Sequence, residues 1–293
     1  MSMTASPSSV ADRPSRIRAL MDLFRHNPLM MLSAVILLVL VLAAIFAPYL
    51  GTVDPRKIGV LRRMAPPSAQ AWFGGDQLGR DLWTRALYGA RVSLMVGSVV
   101  AVMSISAGLL IGMVSGYLRA LDAVIMRIMD GLMSIPGILL AIGLVSVSGA
   151  SFLTVTVAIM IPEIPRVVRL VRSIVLTVRE EPYVEAAIAV GTPVPLILWR
   201  HILPNCVPPL IVQATYVAAS AMLTEALLSF LGAGTPPEIP SWGNMMAEGR
   251  IVFPIAPWIV LIPGCTLAVA ILAVNVLGDG LRDRLDPKIA KRM

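Results

Sequence analysis

Long uncharged apolar runs alternate along this chain with short segments that are charged or rich in proline and glycine. A helix rises about 1.5 Å per residue, so about 20 apolar residues cross a hydrocarbon core of about 30 Å. Runs of that length predict six membrane-spanning helices, near Leu29–Leu50, Val92–Gly116, Ile128–Val147, Phe152–Val171, Val207–Phe230 and Ile255–Leu277. The third and fourth come from one uncharged run, Gly131 to Pro162, which Gly149-Ala150-Ser151 divides at a turn. The spans partition the chain into a polar tail 1–28, the first helix 29–50, a loop 51–91, a five-helix core 92–278 and a tail 279–293. The pattern predicts an all-α polytopic membrane protein.

Inside that core, residues 180–205 form an amphipathic island that does not span. Glu180, Glu181 and Pro182 suit a helix start, since acids favour the positive end of the helix dipole and proline fits the first turn. Gly191 supplies the left-handed residue that ends this helix. Thr192 and Pro193 read as the cap and first turn of a second short helix, and Leu203-Pro204 as a fixed return into the membrane. Small Ala186 and Ala187 allow close approach of another helix, though both are also good helix formers. Glu185 is expected either to cap backbone amides or meet a basic partner residue, or to face solvent. In the 51–91 loop, Leu78, Leu82 and Leu87 alternate with Arg80, Asp81 and Arg85, the pattern of an interfacial helix leading into the second span.

Composition narrows the class. Charged residues are 14% of the 293, against about 25% in soluble domains, and mean hydropathy is +0.83, which excludes a soluble globular protein. The first apolar run, uncharged from Asn27 to Val53, is too long for the core of a signal peptide and reads as an uncleaved span. With both termini in the cytoplasm, 16 of the 24 Lys and Arg residues fall inside, the bias that sets topology. The exception is the 51–91 loop, which places Arg56, Lys57, Arg62, Arg63, Arg80, Arg85 and Arg91 outside. The net charge of +7 thus follows from topology, and no basic cluster interleaved with aromatics points to nucleic acid. Cys206 and Cys265 read as two small buried hydrophobes, and the 17 methionines as flexible packing without a metal-binding array. No cofactor or metal site is expected.

Ionisable residues within spans are functional candidates because their burial is costly. Glu225, in the fifth span, is expected to line a translocation path or to pair with a basic residue such as Arg91. Glu163 sits between Pro162 and Pro165 with Arg166 three residues on, and Arg127 and Asp130 are spaced to neutralise each other on one helix. Pro136 and Pro162 are candidate kinks. An intramembrane enzyme is excluded by His26 and His201 being the only histidines, with no HExxH.

Four motifs carry a resemblance. The island, EAA followed by Gly191 and RHILPN, is similar to the coupling loop of bacterial ABC-importer permeases. LGRDLWTRALYGARVSL (Leu78–Leu94), TEALLSFLGAG (Thr224–Gly234) followed by PSWGNM, and NVLGDGLRDRLDP (Asn275–Pro287) are similar to stretches of the dipeptide/oligopeptide permeases, the last to the tail of the shorter of the two permeases. The general loop pattern has isoleucine where this chain has His201, a form used by the peptide subgroup. The resemblance implies a type I importer fold and an inner-membrane permease subunit. It also implies a second homologous permease, cytoplasmic ATPases gripping Glu185, Ala186, Ala187, Gly191, His201, Leu203 and Pro204, and an external solute-binding protein. Cargo in the family ranges from peptides to nickel complexes, glutathione and opine-like solutes. The chain has no GxxxxGK[ST] phosphate loop, so ATP hydrolysis is expected on the partner. A secondary transporter or channel is the rival reading; it would usually show more spans or inverted halves.

Overall fold

A computed structural model describes residues 27–285. Residues 1–26 and 286–293, with seven of the nine basic residues assigned to the two tails, lie outside the described residues. The chain runs through α1 (Pro28–Ile45), α2 (Leu82–Tyr117), α3 (Arg119–Met133), α4 (Gly137–Ser148), α5 (Phe152–Arg179), α6 (Pro182–Ala189), α7 (Val194–Ile197), α8 (Leu203–Phe230), α9 (Trp242–Gly249) and α10 (Trp258–Leu285).

Four rods are long and apolar enough to cross a membrane: α1, α2, the run from Val194 to Phe230, and α10. The expected third span is broken. Its two halves, α3 and α4, meet at 85° and raise the number to five if counted as one crossing. Pro136 causes the break by standing ahead of α4 with extended backbone, where it lacks an N–H and disfavours helix at the residue before it. The expected fourth span is one helix of 28 residues that continues through Pro162 and Pro165, so Pro162 does not end it. Its first half is apolar, but Glu163, Arg166, Arg169 and Arg172 fill the second, which is why a simple count of six apolar spans is not met.

The centre of the bundle is the crossing of α2 and α5. Gly108, Gly112 and Gly116 stand one turn apart on α2, facing Val167, Val171 and Val175 on α5. A Cβ at these glycines would lie 2.5, 2.7 and 2.6 Å from the valine Cβ atoms. Lipid tails are as apolar as leucine, so helices in a membrane gain from close packing, and bare backbone permits it. Charge clasps α3 to the same helix α5. Arg172 donates through Nε and Nη2 to the two oxygens of Asp122 at 2.6 Å each, and Arg169 reaches Asp130 at 2.6 Å. Asp130 thus pairs across helices with Arg169 and not with Arg127, because the kink swings α3 along the charged half of α5.

α10 is held between α1 and α8 by the C-terminal motif. Gly278 abuts Thr215, Gly280 abuts Met30, and the Tyr216 hydroxyl donates to Asp279. Cys206 is buried as expected, whereas Cys265 is exposed on the outside of α10.

Candidate functional site

The island lies at the C-terminal end of α2, where Gly116 meets Val175 and Arg179 donates to the Gly116 carbonyl at 3.4 Å. The 51–81 loop lies at the other end. An α2 of 36 residues is about 54 Å long, so the two lie at opposite ends of a helix long enough to cross a bilayer.

Local sequence sets the island's shape. Glu181 is the cap of α6 and Pro182 its first residue; Glu180 instead terminates α5, accepting no role in the helix start. Gly191 has φ +78°, and its N–H bonds Ile188 at 2.9 Å while the Thr192 N–H reaches back to Ala187 at 3.0 Å. These paired bonds satisfy the last free carbonyls of α6. The second helix begins one residue later than expected, with Pro193 at the cap and no side-chain bond from Thr192. The reason is local: a Thr192 cap would serve the amides of residues 194 and 195, and Pro195 has none. Nor is that helix separate. α7 runs into α8 through a π turn, Leu198–Ile202, ahead of Pro204 in the first turn of α8. The wider turn accommodates a proline ring that would otherwise crowd the preceding turn.

Three buried apolar side chains seat the island on the bundle: Val184, Ile197 and Ile202 join the core that includes Val175 and Val178. A polar clasp ties its two arms. Asn205 donates to the His201 carbonyl at 2.7 Å and to the Tyr183 hydroxyl at 3.3 Å, and the rings of Tyr183 and His201 lie 6.0 Å apart. His201 is thereby half-buried in a hinge, with Tyr183 and Asn205 as partners that the sequence reading did not single out. The spacing of Asn205 four residues after His201 was the available signal. Glu185 and Ala186 are exposed, Ala187 and Leu203 half-buried, and Pro204 exposed. Glu185 forms no side-chain cap on α6. Around them Ile188, Val190, Val194, Leu196 and Trp199 also face outward.

Glu225 lies elsewhere. It is completely buried near the opposite end, accepting from Ser229 at 2.9 Å and Thr235 at 3.5 Å, with its second oxygen unpartnered among the described residues. Arg91, its proposed partner, instead donates to the carbonyls of Ala44 and Ile45 at the end of α1. Those carbonyls have no helical partners of their own, so they capture the guanidinium. Glu225 presents no surface to a path through this subunit. It belongs to a web of hydroxyls and amides made by the TEALLSFLGAG and PSWGNM motifs. Asn244 donates to Thr235, Pro236 and Ile239, the Trp242 amide to Ser93, and the Trp242 indole to the Ala86 carbonyl.

The LGRDLWTR motif caps the same end. Asp81 accepts from the amide and hydroxyl of Thr84, starting α2. Arg80 and Arg85 both contact Asp76 and Glu248, at 2.5 to 3.4 Å. Arg85 and Asp76 are each 2% exposed. The expected interfacial helix is therefore the buried first part of α2, and its charges neutralise partners on the loop and on α9.

The chain matches the binding-protein-dependent transport system inner membrane component family over residues 104–291, and the N-terminal TM domain of oligopeptide transport permease C over 15–67. It is 52% identical to a probable peptide ABC transporter permease protein of Sinorhizobium fredii, across all of both chains. It is 42% identical to the dipeptide transport system permease protein of Alkalihalophilus pseudofirmus, covering 90% of this chain and 88% of that one. To the oligopeptide transport system permease protein of Bacillus subtilis it is 36% identical, covering 92% and 88%.

Proposed function

Since the chain belongs to the family of binding-protein-dependent transport system inner membrane components, and is thus a multi-pass permease subunit of an ABC importer, we propose that it carries di- or oligopeptides inward. Its 180–205 island is the seat of a separate cytoplasmic ATPase. The observation that carries the coupling role is the island itself. Buried Val184, Ile197 and Ile202 fix it to the bundle, while Glu185, Ile188, Val190 and Trp199 point away from it. Force on that exposed surface passes into α5 through Glu180 and Glu181 and into α8 through the continuous rod, so a rotation of the island turns two central helices together.

In this reading the island and both termini face the cytoplasm and the 51–81 loop faces outward. A second homologous permease completes the channel, and a solute-binding protein delivers cargo from outside. The peptide assignment rests on relatives named for peptide, dipeptide and oligopeptide transport. The test is reconstitution of the whole importer in liposomes with labelled dipeptides and tetrapeptides. ATP-dependent accumulation is the expected result. Accumulation without ATP would replace this reading with a secondary transporter, and ATP-dependent uptake of nickel complexes or glutathione with no peptide uptake would replace the cargo.

A further inference from the structure

Three arginines follow one another along the second half of α5, and they are not equally satisfied. Arg172 holds both oxygens of Asp122 and Arg169 reaches Asp130, each at 2.6 Å and each across to α3. Arg166 is paired, among the described residues, only with Glu163 on its own helix, which accepts from Nη1 alone at 3.3 and 3.4 Å. Glu163 is itself buried and receives the Ser220 hydroxyl of α8 at 3.1 Å. The Arg166 side chain is 59% exposed, and its Nε and Nη2 meet no acceptor among the described residues.

The face on which Arg166 stands is polar. From there to the end of α5 the exposed residues are Arg166, Arg169, Ser173 and Thr177, spaced three or four apart along one side. The adjoining helix provides the comparison. Gly108, Gly112 and Gly116 fix the register of α2 against Val167, Val171 and Val175, and over that same length α2 turns Leu110 and Val114 outward. Two packed helices thus expose opposite chemistry at one level. Hydrocarbon suits Leu110 and Val114 but would strip Arg166 and Arg169 of their water, so the α5 stripe belongs to an aqueous space. That space has an end. Two and three turns before Arg166 the same side of α5 carries Ile159 and Val155, both buried in the core. The stripe is open toward the coupling island and closed beyond Arg166.

We infer that Arg166 is a cargo contact, whose free guanidinium edge binds a carboxylate of the transported solute at the closed end of this polar stripe. Under the peptide-importer reading, on which this rests, that group is the C-terminal carboxylate of a linear peptide. Nε and Nη2 form the edge of the guanidinium with which Arg172 takes both oxygens of Asp122, and the same fork on Arg166 is unused. Glu163, anchored by Ser220, holds the other edge and so positions Arg166 before cargo arrives. A site on a path must also release its ligand. The standing pair with Glu163 competes for the cation and keeps the attraction reversible.

The test uses the complete importer in liposomes with its solute-binding protein, and labelled dialanine and its C-terminal amide as probes. Each is supplied at a concentration that saturates the binding protein, so the ratio of the two uptake rates reads the permease. The wild type should move the acid about tenfold faster than the amide. Arg166→Gln should bring the acid down to the rate of the amide. Arg166→Lys, which keeps the charge but not the fork, should restore part of the difference. Equal rates in the wild type, or an unchanged ratio in Arg166→Gln, would overturn the proposal, since a merely structural arginine slows both peptides alike. A second measurement stands even if Arg166→Gln fails to assemble. Ser173→Cys, in a chain carrying Cys206→Ala and Cys265→Ala, should react with a charged thiol reagent in the assembled importer, followed by the mass of this subunit. Complete protection would show the stripe sealed against a neighbouring subunit and would also overturn the proposal. No ATP-dependent uptake of either peptide by the wild type would strike the importer reading; uptake with a ratio indifferent to Arg166 strikes this site alone.

Discussion

At the N-terminal end of α2, charged and hydroxyl side chains are turned inward: Arg85 against Asp76 and Glu248, Glu225 against Ser229 and Thr235, Asn244 against four loop oxygens. At its C-terminal end the island does the reverse. Three apolar residues anchor it and most of the others, including Glu185 and Trp199, are exposed. Both ends carry the motifs by which the family is read, yet the physical demands differ. A buried polar web satisfies its own members and specifies one packing. An exposed island leaves its polar and apolar groups to be satisfied from outside the subunit. Motif density alone therefore does not distinguish a residue that shapes the subunit from one that meets a partner.

The comparison can be broken by substitutions at each end. Arg85→Ala should have the largest effect, about 3 kcal/mol, because it removes the fully buried guanidinium and leaves Arg80 alone to face both Asp76 and Glu248. A large fall in the thermal midpoint of the detergent-solubilised importer is expected, and an unchanged midpoint would show that the cluster is not structural. Gly112→Val should follow at about 1–3 kcal/mol of overpacking, since its Cβ would stand 2.7 Å from the Cβ of Val171. Gly112→Ala should give a smaller drop in the same measurement, and equal midpoints for the two variants would refute close packing as the cause.

At the island the effects move from stability to coupling. Gly191→Val should uncouple transport from ATP hydrolysis at near-normal membrane insertion. No atom lies within 4 Å of the added Cβ, but φ +78° costs a side chain about 1–2 kcal/mol. The cost is thus one of backbone conformation and not of obstruction, and normal uptake per ATP hydrolysed would count against it. Glu185→Ala should have the smallest effect, lowering ATPase retention during purification with no change in midpoint. Retention equal to wild type would assign Glu185 to a solvated face.

Much of the architecture is legible from one dimension. Apolar run length locates the helices, and Gly191, Pro182 and Glu181 mark the first island helix because caps and turns depend on residues within one turn. The close approach of α2 and α5 was also written in the sequence, as glycines spaced by four in an apolar run, although the reading did not use it. The reach of local reasoning ends with long-range pairing. Arg91 turned from Glu225 to the end of α1, Asp130 from Arg127 to Arg169, and Arg85 from an interface to Glu248, 163 residues away. Each partner was chosen by which helices the packing brought alongside.

The sequence by itself determined that the chain is a helical membrane protein, where most of its helices run, that a helix stops at Gly191, and the family to which its motifs point. These follow from hydropathy, helix rise and local backbone chemistry, which act over a few residues. Only the tertiary structure decided that Pro136 folds the third apolar run back by 85°, that Glu225 is sealed within the subunit, and that three of seven loop cations are spent internally while four face outward. Burial and ion pairing depend on neighbours distant in the chain, and no local pattern states whether a charge will be met from within the molecule or from outside it.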